Sequence, residues 1–448
     1  VLKNALSKHK KEGVFMHRLI INKLGPISHA KLDCNQFMVL TGCQASGKST
    51  IAKALFYFRT VKDDILLLLI KKTSGLDKEN DGNLKKTLEN WLREKFLNVF
   101  GSSWGMDNEM YIEYHYKEEV WIRVHLVEDK YYDAPNFIKI AFSSQLFDII
   151  VDLDKTVCKA AQTISDEDIQ IIKKELSDDF DDEYSTVFIP AGRSMITLLA
   201  TQLNYIYSTM ADAQKRSIDF CTRSYLENII KIRPEFEDGL WGLRSRYAIK
   251  ARKKEVALNF AVRKINKVLK GSYRYNNGDE RLEIDGNHYV KINFTSSGQQ
   301  ESVWILNLLF YYLLQAKPTF LIIEEPESHL FPEAQKEIVE LISLVYNSGH
   351  SMLVTTHSPY VLGTLNNLIF ASQFDNDLNS KVGKVVNKRF WITKEDIVAW
   401  FVRKGTIKNC IDEETGMIEN ELIDEISGVI NEDFDKMVTI LHQEEAGE

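Results

Sequence analysis

Cysteine is scarce in this chain of 448 residues, and the five present, Cys34, Cys43, Cys158, Cys221 and Cys410, are far apart. No pair has the spacing of a zinc site or a redox motif, which argues against a disulfide-stapled secreted scaffold and predicts a reducing, cytoplasmic location. Long apolar runs are missing as well. The longest, residues 65–70 and 303–314, fall short of the roughly 18 residues that a spanning helix needs, so no membrane partner is expected. Residues 1–15 carry the charged stretch Lys8-His9-Lys10-Lys11-Glu12 with no apolar core behind it. They read as an N-terminal extension rather than a leader, with Met16 as the natural start. Positive charge is also in deficit, at 56 Lys and Arg against 64 Asp and Glu, a net charge of -8. Whole-surface attraction to nucleic acid is thereby disfavoured, because such binding rests on Lys and Arg displacing counterions; a local basic patch survives the objection. No internal repeat and no low-complexity segment occurs.

What is present is material for a large core: 44% hydrophobic residues, with aromatics at 11%. Residues 17–41 read as strands, ending in the apolar run 37–41 that stops at glycine, as a central parallel strand does. A helix is expected over 49–58 and another over 85–99, then strands near 111–114, 120–127 and 137–142. The acidic run Asp178-Asp179-Phe180-Asp181-Asp182-Glu183 reads as a solvated loop or helix end. Strand 186–189 leads to Pro190-Ala191-Gly192-Arg193, followed by a mostly helical stretch interrupted near Pro234 and Gly239. Hairpin turns are expected at 271–278 and 286–287. Helices over 303–314, 332–346 and 359–366 alternate with strands 320–323 and 351–355, which resumes an α/β layering. Two further helices are expected in the tail, at 395–402 and 419–430. The chain divides into an extension (1–15), a first lobe (16–194), a compact helical insertion (195–270), a second lobe (271–373) and an acidic C-terminal region (374–448).

The strongest chemical signal is Gly42-Cys43-Gln44-Ala45-Ser46-Gly47-Lys48-Ser49-Thr50, a complete phosphate-binding loop between an expected strand and helix. Its glycines let backbone N–H groups and the helix N-terminus face a phosphate chain. Lys48 would hold the β- and γ-phosphates of ATP, and the Ser49 hydroxyl a Mg²⁺ ion. A second apolar strand ends in Glu324 and Glu325. Successive strand residues face opposite sides, so Glu324 is expected at the metal and Glu325 at the attacking water. His357 closes the next strand and is placed to sense the γ-phosphate. Finally Ser296-Ser297-Gly298-Gln299 opens the helix that precedes the acidic strand, a second anion-binding helix start. One nucleotide already has the Lys48 loop, so this second start is expected to grip ATP bound to another subunit.

In this order the four elements resemble the ABC-type ATPases, more narrowly the soluble branch of chromosome-maintenance and DNA-repair heads and its compact, stand-alone bacterial members. The resemblance implies an α/β P-loop NTPase fold with an ABC/SMC-head-like nucleotide-binding domain. Its signature motif falls on residues 296–299, its D-loop on 327–330 and its switch histidine on His357. The family's Q-loop glutamine has Gln145 as one candidate, while the segment ending in Arg193 is another claimant for that place. For Arg193 a phosphate or interface role stands beside a structural salt bridge. The resemblance further implies a homodimer or higher homo-oligomer through ATP-sandwiching heads. It also implies a separate effector, a nuclease or toxin, in an anti-phage system; direct action on DNA in repair is the alternative.

Overall fold

The computed structural model describes residues 16–73, 84–129, 134–159, 165–197, 218–276, 278–286, 288–315 and 317–419, with residues 432 and 435–437. The chain opens with β1 (Arg18–Leu24), β2 (Ile27–Asp33) and β3 (Phe37–Gly42), then α1 (Lys48–Arg59), α2 (Val61–Thr73) and α3 (Leu84–Phe100). Strands β4 (Tyr111–Lys117), β5 (Val120–Asp129) and β6 (Ala134–Phe142) follow, then α4 (Ser144–Lys159), α5 (Asp166–Asp179) and β7 (Ser185–Ile189). Helices α6 (Phe220–Ile232), α7 (Gly239–Arg246), α8 (Ala248–Lys253) and α9 (Glu255–Leu269) lead into β8 (Ser272–Asn276), β9 (Asp279–Asp285) and β10 (His288–Lys291). The last section runs α10 (Ser297–Leu314), β11 (Thr319–Glu324), α11 (Pro332–Tyr346), β12 (Ser351–Thr356), α12 (Pro359–Ser372), α13 (Asn376–Val385), β13 (Ile397–Arg403) and β14 (Thr406–Asn409).

The central sheet has six strands in the order β14-β13-β3-β12-β11-β7, parallel except for the β13–β14 hairpin. β3, β11 and β12 are buried along their whole length, which explains their unbroken apolar runs: a parallel strand is covered on both faces. Alternation divides those faces. Phe37, Val39, Leu321, Ile323, Met352 and Val354 join the core under α10, α11 and α12. Met38, Leu40, Phe320, Ile322 and Leu353 join the opposite core, with α1, α2 and the antiparallel sheet β2-β1-β4-β5-β6. The expected helical stretch before residue 270 is helical where described, and its last helix is bolted down: Lys264 on α9 bonds Glu337 at 2.8 Å and also Glu340, both on α11.

Two sequence expectations need correction. Residues 395–402 are not a helix; β13 pairs in parallel with β3, Ile397 opposite Phe37 and Val402 opposite Gly42. The run Ile-Val-Ala-Trp-Phe-Val has no polar face for a helix to turn to water, and lying between two strands gives every residue a buried neighbour. The tail is therefore in part sheet. The helix expected at 419–430 lies outside the described residues, apart from Glu419. Nor is the acidic run wholly solvated: Asp182 is 2% exposed and bonds Arg59 at 2.9 Å and Lys62 at 3.2 Å. Arg59 ends α1, the helix that carries Lys48, and its guanidinium also lies 4.2 Å from the Phe320 ring. Replacing Asp182 by Ala leaves two buried cations facing each other without a counter-charge. The expected loss is about 3–5 kcal/mol, read as a fall in the urea midpoint with an unchanged slope.

Candidate functional site

The phosphate loop is built from steric necessity. Gly42 has φ 139°, and a Cβ there would stand 2.3 Å from the Val402 carbonyl oxygen on β13; Gly47 has φ 109°, and its Cβ would meet Ile27 Cδ1 at 2.3 Å. The loop is thus pinched between the added strand and the β1–β2 turn, and only glycine fits at either pinch. Ala45 between them also adopts a left-handed φ of 58°. Gly47 caps α1 without a side-chain hydrogen bond, and no acid occupies the first turn, so the helix start keeps its N–H groups and positive dipole end for an anion. Gln44, Ala45 and Ser49 are exposed and Thr50 half-buried. Lys48, 5% exposed, donates to the Gly42 and Cys43 carbonyls at 2.8 Å each. Burial pulls its pKa down, opposed chiefly by Glu325.

Parallel register brings the remaining groups to the same edge. β12 lies between β3 and β11, with Thr356 opposite Thr41 and Thr355 opposite Glu324; His357 and Glu325 each follow one residue on. Glu324 is 5% exposed. Its Oε2 accepts the Ala191 N–H at 3.3 Å, while Oε1 is buried without a hydrogen-bond partner. Burial raises its pKa, countered first by the Ser49 hydroxyl beside it. A buried carboxylate oxygen in need of a partner, next to the serine hydroxyl, fits Mg²⁺, which takes one or two protein oxygens and fills its shell with phosphates and waters. Ser49 and Glu324 would hold the ion, whose charge would offset that of the phosphates.

Glu325 sits at φ 42°, unusual for a residue with a side chain. Its Oε1 lies 3.5 Å from His357 Nδ1, and its Oε2 accepts the Ser328 hydroxyl at 3.3 Å. Contact with His357 holds the Glu325 carboxyl below its ordinary range, and the same contact raises His357. The first residue of the expected D-loop, given no role of its own in the sequence reading, supports both. Glu327, 4% exposed, accepts the Thr356 hydroxyl at 2.6 Å and the His357 N–H at 3.0 Å, so it fixes the histidine's main chain. Its signal was the third acid in Glu324-Glu325-Pro326-Glu327.

Ser296 and Gln299 form a reciprocal capping box at the start of α10, and the Gln299 amide also reaches the Leu269 carbonyl at 2.7 Å. Their side chains are committed to shaping the helix start, which leaves the exposed Ser297 and half-buried Gly298 for a ligand. A Cβ on Gly298 would stand 2.7 Å from the His329 carbonyl oxygen, so this glycine seats the helix start on the 327–330 loop. The helix start and this loop share a cavity of about 270 Å³ with Lys270 and with Lys267, which is paired to Glu333 and Glu337 on the same wall; no residue of the 42–50 loop lines it. The structure thus gathers Lys48, Ser49, Glu324, Glu325 and His357 in one place and leaves Ser296, Ser297, Gly298 and Gln299 at another. Gln145 is exposed in the first turn of α4, and among the described residues no hydrogen bond joins it to the loop or the acids. Arg193 is fully buried and bonds main-chain carbonyls, which favours its structural reading.

The raised pKa of His357 implies a pH-dependent contribution to stability. It is fully present below about 6.5, the unfolded value, and is lost as pH rises through the raised folded value. The melting-temperature gap between the parent and His357→Asn should be largest near about pH 6 and shrink toward about pH 9. A gap that grows with pH would contradict the pairing with Glu325.

Among solved structures the chain is similar to the Smc head domain with a coiled coil and joint from Pyrococcus yayanosii, at 11% identity, covering 92% of this chain and 99% of that one, TM-score 0.39. It is also similar to the Pyrococcus furiosus Smc head with an extended coiled coil bound to the C-terminal domain of ScpA, at 14% identity, 88% and 95% coverage, TM-score 0.36. The SMC head domain from Thermotoga maritima matches at 11% identity, 88% and 98% coverage, TM-score 0.34. No curated protein sequence matches the chain. The sequence pattern of the AAA ATPase domain family matches residues 15–362. With its phosphate loop, acidic strand end and histidine on one edge of a parallel α/β sheet, the chain belongs to the AAA ATPase domain family.

Proposed function

We propose that the protein is a Mg²⁺-dependent ATP hydrolase whose heads pair around ATP, and that this pairing controls a separate effector protein, a nuclease or toxin, in a bacterial anti-phage system. The observation that carries the hydrolase reading is the convergence of Lys48, Glu324, Glu325 and His357 on the sheet edge beside an uncapped helix start. Lys48 sits among three carboxylates, and its charge is free to move from loop carbonyls to the β- and γ-phosphates. Glu325, held ionised by its histidine neighbour, orients and polarises a water for in-line attack, while Lys48 and the loop N–H groups meet the charge that develops. His357 keeps the carboxylate pointed and reports on the terminal phosphate.

Pairing of heads is supported by the second helix start. Gly298 lines a cavity that the same chain's phosphate loop does not line, and Ser297 beside it is exposed, so a second copy's nucleotide is the ligand assigned to this helix start. Exposed Phe331, at 77%, flanks that cavity and offers apolar area to a facing copy. The output of such a cycle is conformational. Control of an effector rests on the resemblance to compact bacterial members, with the C-terminal region, 374–448, as the candidate surface for it.

Glu325→Gln should bind ATP, lower hydrolysis at least about 100-fold and hold an ATP-dependent dimer in light scattering. Lys48→Ala should lose both binding and dimer. Parental turnover in Glu325→Gln would remove the assignment of the water-orienting residue. Capture of a neighbouring gene's product only in the presence of ATP would support effector control, whereas stimulation of hydrolysis by duplex DNA or its ends would favour direct action on DNA.

A further inference from the structure

Arg193 is sealed from water, and every direction of its guanidinium is used. Nη1 donates to the Pro190 and Glu324 carbonyls at 2.7 Å each, Nη2 to the Glu325 carbonyl at 2.9 Å, and Nε to the Glu301 carbonyl at 3.0 Å. The return half comes from Glu301, 1% exposed: its carboxylate accepts the Arg193 N–H at 2.8 Å and the Ser194 N–H at 2.6 Å. Thr197 adds a bond from its hydroxyl to the Gln300 carbonyl at 2.9 Å. Two of the four carbonyls belong to the residues that close the acidic strand. The other end of the network lies on α10, with Glu301 one turn beyond Gly298.

Resting on the hydrolase and paired-head reading above, we propose that Arg193 is a positioning residue for hydrolysis. It clamps the main chain of Glu325, and through Glu301 it ties that clamp to the helix whose start faces the partner's nucleotide. Filling of the α10 start by a second copy's ATP and aiming of the Glu325 carboxylate in its own site then move as one rigid unit. The shape of the network supports this over a plain core ion pair. Burying a charge pair seldom stabilises more than apolar packing would, yet here a planar fork with several fixed donors spans three chain segments. Glu325 also needs such a clamp. Its left-handed φ of 42° is a conformation that an L side chain leaves unless its surroundings over-determine it.

The test uses the full chain. Arg193→Lys keeps the charge and removes the fork. Hydrolysis should fall about 10- to 100-fold, as displacement of a reacting group by about an ångström produces, while the Kd for a fluorescent ATP analogue stays within about threefold. The second readout needs no turnover. The His357 imidazole, assigned in NMR by its loss in His357→Asn, faces Glu325, Glu327 and Lys48; its titration in Arg193→Lys should move down toward that in Glu325→Gln. Glu301→Gln, which leaves the strand-end carbonyls on Arg193, should lower hydrolysis about fivefold with ATP affinity kept, and it serves where Arg193→Lys does not fold. An unmoved His357 titration in Arg193→Lys, or ATP affinity lost in step with turnover in either variant, overturns the clamp. Absence of turnover in the parent would instead overturn the hydrolase reading, and the His357 titration would still decide the clamp.

Discussion

In-register parallel pairing of β3, β12 and β11 makes one site of residues far apart in the chain. Each strand delivers its chemistry where it ends, the loop of Lys48 after β3, His357 after β12, and Glu324 with Glu325 at the end of β11. Because side chains alternate along a strand, a slip of one residue would turn Glu324 away from Ser49 and put an apolar neighbour in its place. The two buried cores on either face fix that register, since Phe37 and Met38 must each find their own side.

Charge inside this frame is arranged to be movable at the edge and immobile beneath it. Lys48, Glu325 and His357 are held by few, long or exchangeable contacts. Behind the edge, Arg193 with Glu301 is sealed and engaged on every side, and at the far end of α1 Arg59 and Asp182 form a buried ion pair. The contrast has a physical logic. Groups that greet a triphosphate need freedom to change partners, whereas groups that define distances lose their use if they move.

Most of the edge was legible in the amino-acid order because its signals are local: nine residues from Gly42 to Thr50, four apolar residues before Glu324, one histidine at a strand end. What escaped depends on partners far along the chain. The 395–402 run reads as helix in isolation, and nothing nearby in the sequence shows that β3 lacks a neighbour. Asp182 looked solvated among its acidic neighbours, since Arg59 and Lys62 stand more than a hundred residues away. Gln145 was proposed by analogy of order and lies in an exposed helical turn. Arg193 was read with two roles open, and its burial among main-chain carbonyls could be seen only once β7, β11 and α10 were brought together.

The strand that flanks the phosphate loop comes from very late in the chain: β13 pairs with a segment 360 residues before it. Gly42 rests on Val402, so during translation the loop has no floor on that side until β13 leaves the ribosome. At about 5–20 residues per second, that wait is roughly 20–70 s. Nascent or prematurely terminated chains would therefore expose β3 as an unpaired edge, in need of chaperone cover and unable to shape the nucleotide pocket. Completion of the phosphate loop's walls thus becomes a late milestone of biosynthesis.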